Sequence, residues 1–485
     1  MNTIVEKDCL TFKDIEKEIF KYVCQIAVNL TKEFLTAYDQ KLMKERDSSK
    51  YRHKGYKEDH IRCVYGDVAY ERVVYETVNE EGKKEFVYLL DDALRMDTVG
   101  KMSLNLVESI ISATSKMSFR DAADEINRNT EAGITHQSAW NVVQKFGEKL
   151  EEEESALIRD YEKDAIEGGK EVPVLFEEAD GIFLHLQGKD RPKHMSGKEI
   201  KVSTCYEGWN EQGELVGKVM SAGFEDGKTF QKLREATIKT RYNTEEVKLR
   251  VMNGDGASWV KAYEDPDTVF QLDRFHIYQK ILKCIRDKKM QNTLRELYDN
   301  CKTEELLETI KIYADSVSTD DEKDKREKKA LELYEYLNGN RKHLLSYQDR
   351  TDVNIPEAPN GLIYKNLGTQ ENQNCSNITL RMKNNKGSWS ISGGGHMAKI
   401  LVRFANKSIW NDIFHYKEAV IESDKKPIII NILSAAKAPK YDGKGNKTGN
   451  IMEGHVLYRD AKMTFSRKAF LKIFENQEFT QMIYR

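Results

Sequence analysis

Three aspartates stand where the sequence predicts that buried strands end. Asp255 and Asp273 each follow a short apolar run, and His276 comes three residues after Asp273. Asp180 ends a further run, which begins at Val172. Apolar runs of this length bounded by glycine or proline predict buried strands, and ligands gather at the carboxyl ends of the strands in open α/β sheets. The spacing therefore predicts that carboxylates and an imidazole meet at one edge of a sheet.

The chemistry predicted for such an edge is that of a divalent cation. Two adjacent carboxylates repel each other unless a cation neutralises them, and hard oxygen ligands favour Mg²⁺ or Mn²⁺. Two such ions about 3.5–4 Å apart activate a water or hydroxyl and stabilise the leaving oxygen of a phosphodiester displacement. We predict that Asp180, Asp255 and Glu371 bind two ions, with Glu371 in a polar segment that packs back on the sheet. Glu357 is the alternative third carboxylate, and capping of a helix or turn is the alternative role of each aspartate alone.

The order of the predicted elements indicates the fold that positions these residues. Three consecutive strands, expected to be antiparallel, are followed by helix, strand, helix, strand and helix. This is the order of an RNase H-like fold, whose sheet brings two strand-borne carboxylates together. The predicted class is α/β: an RNase H-like mixed-sheet catalytic domain with a helical insertion, after an α/β N-terminal region that includes a helix-turn-helix-like part. The predicted parts are residues 1–103, an N-terminal helix and small β-sheet; 104–168, the helix-turn-helix-like DNA-binding region and linker; 169–430, the catalytic domain with its insertion at about 288–355; and 431–485, a C-terminal segment.

The N-terminal region predicts one long helix and a small sheet. Apolar residues recur every three or four positions in residues 12–46, so the helix packs either on its own domain or on a second copy. The segment 50–57, which contains Arg52 and Lys54, is basic with interleaved aromatic residues, a composition typical of a segment that tracks a DNA backbone. A solvated loop is the alternative there. Residues 61–78 and 84–90 predict antiparallel strands.

Two short helices joined by a turn predict a helix-turn-helix. Ser118 is the predicted N-cap of the first helix, Asp121 is its capping partner, and the turn contains Gly133. The second helix opens near Thr135, and its first turns would present polar residues to a DNA groove. A helical hairpin without a DNA-binding role is the alternative. The predicted DNA-binding residues are His136, Gln137, Ser138, Asn141, Lys145, Arg52 and Lys54.

Composition limits the remaining classes of protein. A chain of 485 residues, 39% hydrophobic and 32% charged, is globular and too long for one core. The formal net charge of −3 gives no global argument for nucleic-acid binding. The seven cysteines are scattered and form no C-x-x-C pair, which argues against a disulfide framework or a structural zinc site. No apolar run approaches the about 18 residues of a membrane span, and no signal peptide is evident, so a cytoplasmic location is expected.

The same residues resemble a known family. The chain is similar to the ISLre-type bacterial insertion-sequence transposases, in the Mutator-like branch of the RNase H-fold DDE enzymes, from about Asp8 to Ile430. The resemblance implies that Asp180, Asp255 and Glu371 are a metal-binding triad and that Asp273 and His276 are an auxiliary pair. The sequence around the third acid departs from the family's usual Ala-Glu-Gly-His. The segments that carry the resemblance are 175–181, 253–259, 272–276, 368–371, 381–382 and 389–390.

The function that the resemblance implies is metal-dependent DNA cleavage and strand transfer of an insertion sequence. The expected cofactor is Mg²⁺ or Mn²⁺, with two ions. The expected partners are double-stranded DNA, at the terminal inverted repeats of the element and at the target, and further copies of the chain; no membrane is expected. One alternative is a domesticated, non-mobile DNA-binding protein derived from a transposase, and another is a plain nuclease of RNase H-like fold.

Overall fold

The structure is a computed structural model. It describes residues 11–79, 81–94, 96, 99–191, 197–261, 268–317, 321–384 and 387–410, so the predicted C-terminal segment 431–485 lies outside the described residues. The described chain forms two compact units, one made of residues 11–28, 60–69 and 96–410 and the other of residues 29–59 and 70–94. None of the described helices combines the length and the apolar content that a membrane span requires.

The first elements are a long helix and a three-stranded sheet. The helix is exposed over much of its length, since Ile19, Val23 and Ile26 of the predicted apolar stripe are solvent-exposed. In the smaller unit, the buried carboxylate of Asp39 accepts a hydrogen bond from the backbone N–H of Val73 at 2.7 Å, which ties the helix to the sheet. The segment 50–57, for which a solvated loop is the alternative interpretation, contains the start of a strand at Arg52. The elements are α1 (Phe12–Glu45), β1 (Arg52–Cys63), β2 (Gly66–Val78), β3 (Lys84–Val87) and α2 (Leu89–Leu94).

Three helices follow in the larger unit. The predicted N-cap Ser118 is confirmed, and Thr135 caps the next helix in the same way. Ser118 Oγ accepts from the backbone N–H of Asp121 at 3.1 Å, and Thr135 Oγ1 accepts from that of Ser138 at 3.1 Å. Gly133 lies between the two helices with a φ of 59°, a conformation that glycine adopts without steric cost. The helices are α3 (Leu104–Thr114), α4 (Phe119–Asn129) and α5 (His136–Glu162).

A five-stranded mixed sheet is the centre of the larger unit. Its strand order is β10-β9-β4-β5-β8; β5 is antiparallel to β4 and β8, and β4, β9 and β10 are mutually parallel. The predicted antiparallel order of the first three strands is confirmed, although residues 208–216 form a separate small hairpin. The elements are β4 (Val174–His185), β5 (Gly197–Tyr206), β6 (Gly208–Trp209), β7 (Leu215–Val216), β8 (Val219–Gly223), α6 (Gly227–Lys239), β9 (Leu249–Gly254) and β10 (Val269–Leu272).

Helices cover both faces of this sheet. Ile182 and Leu184 of β4 pack with α3, α4, α5 and the last described helix, while Ala179 packs on the opposite face with β9, β10 and the helices after them. Alternate residues of one strand thus enter two separate cores, as the two-residue period of a strand requires. The remaining helices are α7 (Arg274–Cys284), α8 (Lys288–Asp299), α9 (Thr303–Ser316), α10 (Asp321–Gly339), α11 (Gln370–Asn374), α12 (Leu380–Met382) and α13 (Ile391–Ala405).

The crossing of α5 and α13 depends on Gly147. A Cβ atom at this position would lie 2.2 Å from the Cβ of His396 and 2.9 Å from its Cα. We expect Gly147→Ala to lower the free energy of unfolding by about 1–3 kcal/mol, because backbone and side chain must both shift to relieve this overpacking. Urea titration measures the change. Gly169→Ala is the matched control, since a Cβ there meets nothing within 4 Å, and equal stability of the two variants would contradict the predicted close crossing.

Candidate active site

Three aspartates follow the last residue pairs of three adjacent parallel strands. The β4–β9 ladder ends at the pair Ala179–Gly254, and the β10–β9 ladder ends at Leu272–Gly254. The next residues on the three strands are Asp180, Asp255 and Asp273. Because neighbouring strands lie about 4.8 Å apart, the sheet delivers three carboxylate-bearing residues to one edge.

The carboxylate of Asp180 is buried and held from two sides. Its Oδ2 accepts a hydrogen bond from Nδ2 of Asn374 at 3.0 Å, and its Oδ1 lies 3.3 Å from Nε2 of His276. Oδ1 also accepts from the backbone N–H of Gly181 at 2.8 Å. The orientation of this carboxylate is therefore set by its own strand and by side chains of α7 and α11, two helices that are far apart in the sequence.

Asp273 and His276 form the first turn of α7. Asp273 is the N-cap, accepting from the backbone N–H of Phe275 at 3.1 Å, and its Oδ2 lies 4.0 Å from Nε2 of His276. Burial, together with repulsion from Glu178 and Asp180, raises the pKa of Asp273 to about 6. Burial works against the imidazolium form of His276, but its hydrogen bond to Asp180 and the surrounding aspartates outweigh burial and raise its pKa. The pair therefore holds protons more readily than exposed groups of the same kind.

The raised pKa of Asp273 predicts how stability varies with pH in the absence of divalent cations. An acid whose pKa is higher in the folded state favours folding below its ordinary pKa of 3.8, and this contribution is lost as the pH rises through about 6. Asparagine cannot ionise and caps helices about as well as aspartate. We expect Asp273→Asn to exceed the wild type in unfolding free energy above pH 6, by on the order of 3 kcal/mol, and to match it below pH 4.

Urea titrations from pH 4 to pH 8 measure this difference. Asp287→Asn is the matched control, because Asp287 is the N-cap of α8 and is exposed. The free energy of unfolding of Asp287→Asn should equal that of the wild type at every pH. An Asp273→Asn variant that is less stable than the wild type at pH 8 would contradict the predicted burial of a charged carboxylate.

Asp255 lies beside an open cavity of about 500 Å³. Its Oδ1 accepts from the backbone N–H of Ala257 at 2.8 Å, and its backbone carbonyl accepts from the hydroxyl of Tyr336 at 2.9 Å. The cavity is also lined by His276, Lys280 and Lys283. One carboxylate and two ammonium groups thus face a space large enough for a phosphodiester group.

Glu178 holds the chain after the insertion against the sheet, a role that sequence reasoning missed. Its buried carboxylate accepts from the backbone N–H groups of Gly368 and Thr369 at 2.9 Å each, from Tyr206 Oη at 2.6 Å and from Asn253 Nδ2 at 3.0 Å. The only signal in the sequence is an acid at an alternate position from Asp180 within an apolar strand. This carboxylate fixes the start of α11 next to Asp180.

The structure does not bring the carboxylate of Glu371 to Asp180. Gln370 and Asn374 form the buried side of α11, whereas the side chain of Glu371 is exposed. Gln370 Nε2 donates to Asn374 Oδ1 at 2.8 Å, which orients the amide that contacts Asp180. Glu357, the alternative third carboxylate, is exposed as well. Over the residues that the structure describes, no three His, Cys, Asp or Glu side chains are grouped closely enough to hold a metal ion.

Glu199 is a further acid beside this edge that the sequence did not single out. A Cβ atom at Gly181 would lie only 1.9 Å from Glu199 Oε1, so the glycine leaves the space that this carboxylate occupies. Burial, and then repulsion from Asp255 and Asp180, raises the pKa of Glu199 despite the nearby ammonium of Lys201. Glu199 comes from the antiparallel strand β5, whereas strand-end patterns identify only acids that follow a strand.

The predicted DNA-binding residues lie in two places. On α5, His136, Gln137, Asn141 and Lys145 are exposed and Ser138 is half-buried, and Gln137 Nε2 donates to Asn141 Oδ1 at 3.1 Å. The other place is the first part of β1, up to Asp59, which belongs to the smaller unit. Arg52 is exposed there, and Lys54 pairs with Glu76 at 2.9 Å. The polar face predicted for the second helix is thus accessible, and the ammonium of Lys54 already has a carboxylate partner.

Comparisons with known proteins identify relatives of the whole region. The model of the uncharacterised protein family UPF0236 matches residues 5–418. A UPF0236 protein in the vanSb 3′ region of Streptococcus gallolyticus is 22% identical over 451 residues, 88% of this chain and 90% of the relative. A UPF0236 protein of Caldanaerobacter subterraneus subsp. tengcongensis is 25% identical over 364 residues, 70% of this chain and 66% of the relative. Another from that organism is 24% identical over 360 residues, 70% of this chain and 66% of the relative, and its name joins eleven locus names.

A solved structure gives a weaker match. The crystal structure of a pre-cleavage Mos1 transpososome is similar over 49% of this chain and 77% of its own chain, with 11% identity and a TM-score of 0.13. A score this low supports no conclusion about the fold. The family model, in contrast, covers most of the sequence, and the protein therefore belongs to the UPF0236 family.

Proposed function

We propose that this protein is a DNA transposase with an RNase H-like catalytic domain, of the ISLre type that its sequence resembles. The observation that carries the proposal is the sheet itself. Its strand order and directions are those expected of an RNase H-like domain. Asp255 and Asp273 follow β9 and β10, and Asp180 lies within β4, one residue beyond its last pair with β9. Ligands of open α/β sheets bind beyond the carboxyl ends of such strands.

The donor atoms at this edge suit a hard divalent cation. Asp180 and Asp255 offer carboxylate oxygens, the ligands that Mg²⁺ and Mn²⁺ prefer. Glu371, exposed on the first turn of α11, is the proposed third ligand, and its flexible side chain has to turn toward Asp180 to reach it. Two bound cations would supply Lewis-acid stabilisation of the attacking and leaving oxygens of a phosphodiester.

The chain's own residues position the acids and attract the substrate. His276 and Asn374 hold the carboxylate of Asp180 in one orientation, and Glu178 fixes the segment that carries Glu371. Lys283 places positive charge beside Asp255, where a DNA phosphate would enter, whereas the neighbouring Lys280 already pairs with Glu332 at 2.5 Å. In the proposed reaction water cleaves the phosphodiester at the element's end, and the resulting 3′-hydroxyl then attacks a target phosphate. No covalent protein–DNA intermediate is needed.

Three further observations support a mobile element whose protein acts as a multimer and recognises the element's ends. A relative whose name joins eleven locus names fits a gene present in many copies in one genome. The apolar side chains of Phe12, Ile19, Val23 and Ile26 are exposed along α1, which supports self-association of the chain through this helix. The exposed polar face of α5 supports recognition of terminal inverted repeats by the helix-turn-helix-like part.

A mobility assay in cells tests the proposed function. A plasmid carries the gene and its native flanking DNA around a selectable marker, and movement of the marker to a second plasmid is counted. The wild type should move the marker, and Asp180→Asn should not. DNA binding without movement or cleavage by the wild type would overturn the proposal in favour of a non-mobile DNA-binding protein.

A further inference from the structure

A cavity of about 230 Å³ lies beside the first two turns of α5, away from the sheet edge that carries the aspartates. Basic side chains predominate among its polar lining, and none of its lining residues is acidic. Its volume is several times the roughly 30 Å³ that one water occupies in the liquid. The lining residues are His60, Arg62, Gly100, Lys101, Met102, Ser138, Asn141, Val142 and Lys145.

Local structure explains why three segments present their polar side chains here. On β1, His60 and Arg62 alternate with buried Ile61 and Cys63, so the two basic side chains point away from the core. The backbone carbonyl of Arg62 accepts from the N–H of Ser103 at 2.8 Å. This bond fixes the turn at 99–102 beside the strand and brings Lys101 to the cavity.

The opposite wall is one face of a helix. Ser138, Asn141 and Lys145 are spaced by three and four residues, and residues with this spacing lie above one another on a helix surface. Among the described residues, neither the guanidinium of Arg62 nor the ammonium of Lys145 forms an ion pair with a carboxylate. Two cations without a protein counter-charge therefore face the same cavity, with hydroxyl and amide donors beside them.

We propose that this cavity is a phosphate clamp that holds one backbone phosphate of duplex DNA through Arg62, Lys101 and Lys145. Guanidinium and ammonium groups are the usual partners of phosphate oxygens, and such contacts set the register of a protein on DNA without reading its sequence. This proposal rests on the proposed DNA-directed function. It extends the predicted DNA-binding surface of α5 by His60 and Arg62 of β1 and by Lys101 of the turn at 99–102. The clamp would fix α5 relative to the DNA backbone. His136 and Gln137, the first residues of α5, lie outside the clamp and could then approach the bases.

The salt dependence of DNA binding measures this contact. For duplex DNA, log Kobs falls with log [salt] with a slope of about −0.9 for each phosphate neutralised. We expect the double variant Arg62→Gln/Lys145→Gln to lower the magnitude of that slope by about 0.9 on duplexes of unrelated sequence, because a single phosphate is lost. Arg62→Lys keeps the charge and should keep the wild-type slope. Lys328→Gln, an exposed lysine of α10, is the matched control and should bind with an unchanged slope.

The outcomes separate this site from the catalytic proposal. An unchanged slope in a folded double variant, or an equal fall for Lys328→Gln, overturns the clamp even if the wild type cleaves DNA. A lowered slope in a protein that never cleaves DNA supports the clamp and rejects the catalytic proposal. Tighter binding of duplex RNA than of duplex DNA, or stabilisation of the wild type by millimolar inorganic phosphate with no effect of the double variant on DNA binding, also overturns it.

Discussion

Asp255→Ala is expected to lower the rate of cleavage at the element's ends by on the order of 1,000-fold. A divalent cation contributes several kcal/mol to the stabilisation of charge in the transition state, and each 1.4 kcal/mol changes a rate about tenfold. Asp255 follows the strand next to Asp180 and faces the cavity that contains Lys280 and Lys283. Its loss removes one of the two proposed metal ligands that the sheet itself positions. The measurement is single-turnover cleavage of end DNA in Mg²⁺.

The fold should survive this substitution. Among the residues that the structure describes, the side chain of Asp255 makes one hydrogen bond, to the N–H of Ala257 in its own turn, whereas the bond from Tyr336 goes to the backbone carbonyl. Asp255→Asn retains the acceptor for the turn and loses only the charge, so it should cleave as poorly as the alanine variant. Asp160→Ala, an exposed position on α5, is the control and should cleave at the wild-type rate. Near-normal cleavage by both Asp255 variants would show that this carboxylate binds no catalytic metal.

Arg250→Ala is expected to lower the free energy of unfolding by about 3–5 kcal/mol, the usual cost of removing one partner of a buried ion pair. Arg250 on β9 donates from Nε to Glu177 of β4 at 3.0 Å and from Nη2 to Glu235 of α6 at 2.9 Å. All three side chains are 5% exposed or less. Alanine leaves two buried carboxylates with a single guanidinium, that of Arg234, which lies 3.4 Å from Glu177 and 3.8 Å from Glu235.

The pH dependence of this loss identifies its cause. With Arg234 as the one remaining cation for two acids, burial and mutual repulsion raise the pKa of Glu177 and Glu235 relative to the wild type, and acids with raised pKa destabilise the fold as the pH rises. The difference between Arg250→Ala and the wild type should therefore be smaller at pH 5 than at pH 8 in urea titrations. Arg128→Ala removes an exposed arginine that pairs with Glu125 at 2.7 Å, and it should cost less than about 1 kcal/mol. Equal losses for the two arginines would contradict the buried network.

The sequence predicts the backbone frame of the site because that frame depends on local patterns. Short apolar runs that end in aspartate identify β9, β10 and the first part of β4, which continues past Asp180 to His185. The order of strands and helices predicts three antiparallel strands followed by parallel ones. The N-cap Ser118 is predicted for the same reason, since a cap contacts the backbone only three residues away. The segment at 50–57 shows the limit of composition: basic and aromatic residues suit a strand as well as a loop.

Contacts between distant segments could not be predicted in this way. Glu178 binds Gly368 and Thr369, about 190 positions later, and no local pattern identifies such a partner. The exposure of Glu371 follows from the rotation of a five-residue helix, in which Gln370 and Asn374 take the buried side. A single-residue shift of that helix changes which side chain faces Asp180. The sequence pattern does not identify Glu199, because this residue lies within a strand and its carboxylate approaches the sheet edge only where Gly181 leaves space.

The joining of DNA ends in solution tests the central claim most directly. Purified protein is incubated with duplexes that carry the gene's own flanking ends, a target plasmid and Mg²⁺ or Mn²⁺, and the joints are sequenced. We predict that the wild type joins 3′ ends of the element to the target, that Asp180→Asn and Glu371→Gln form no joint, and that chelation of the metal stops the wild type. Joining by Asp180→Asn at the wild-type rate, or no joint from the wild type with either metal, would contradict the assignment of this sheet edge as a transposase active site.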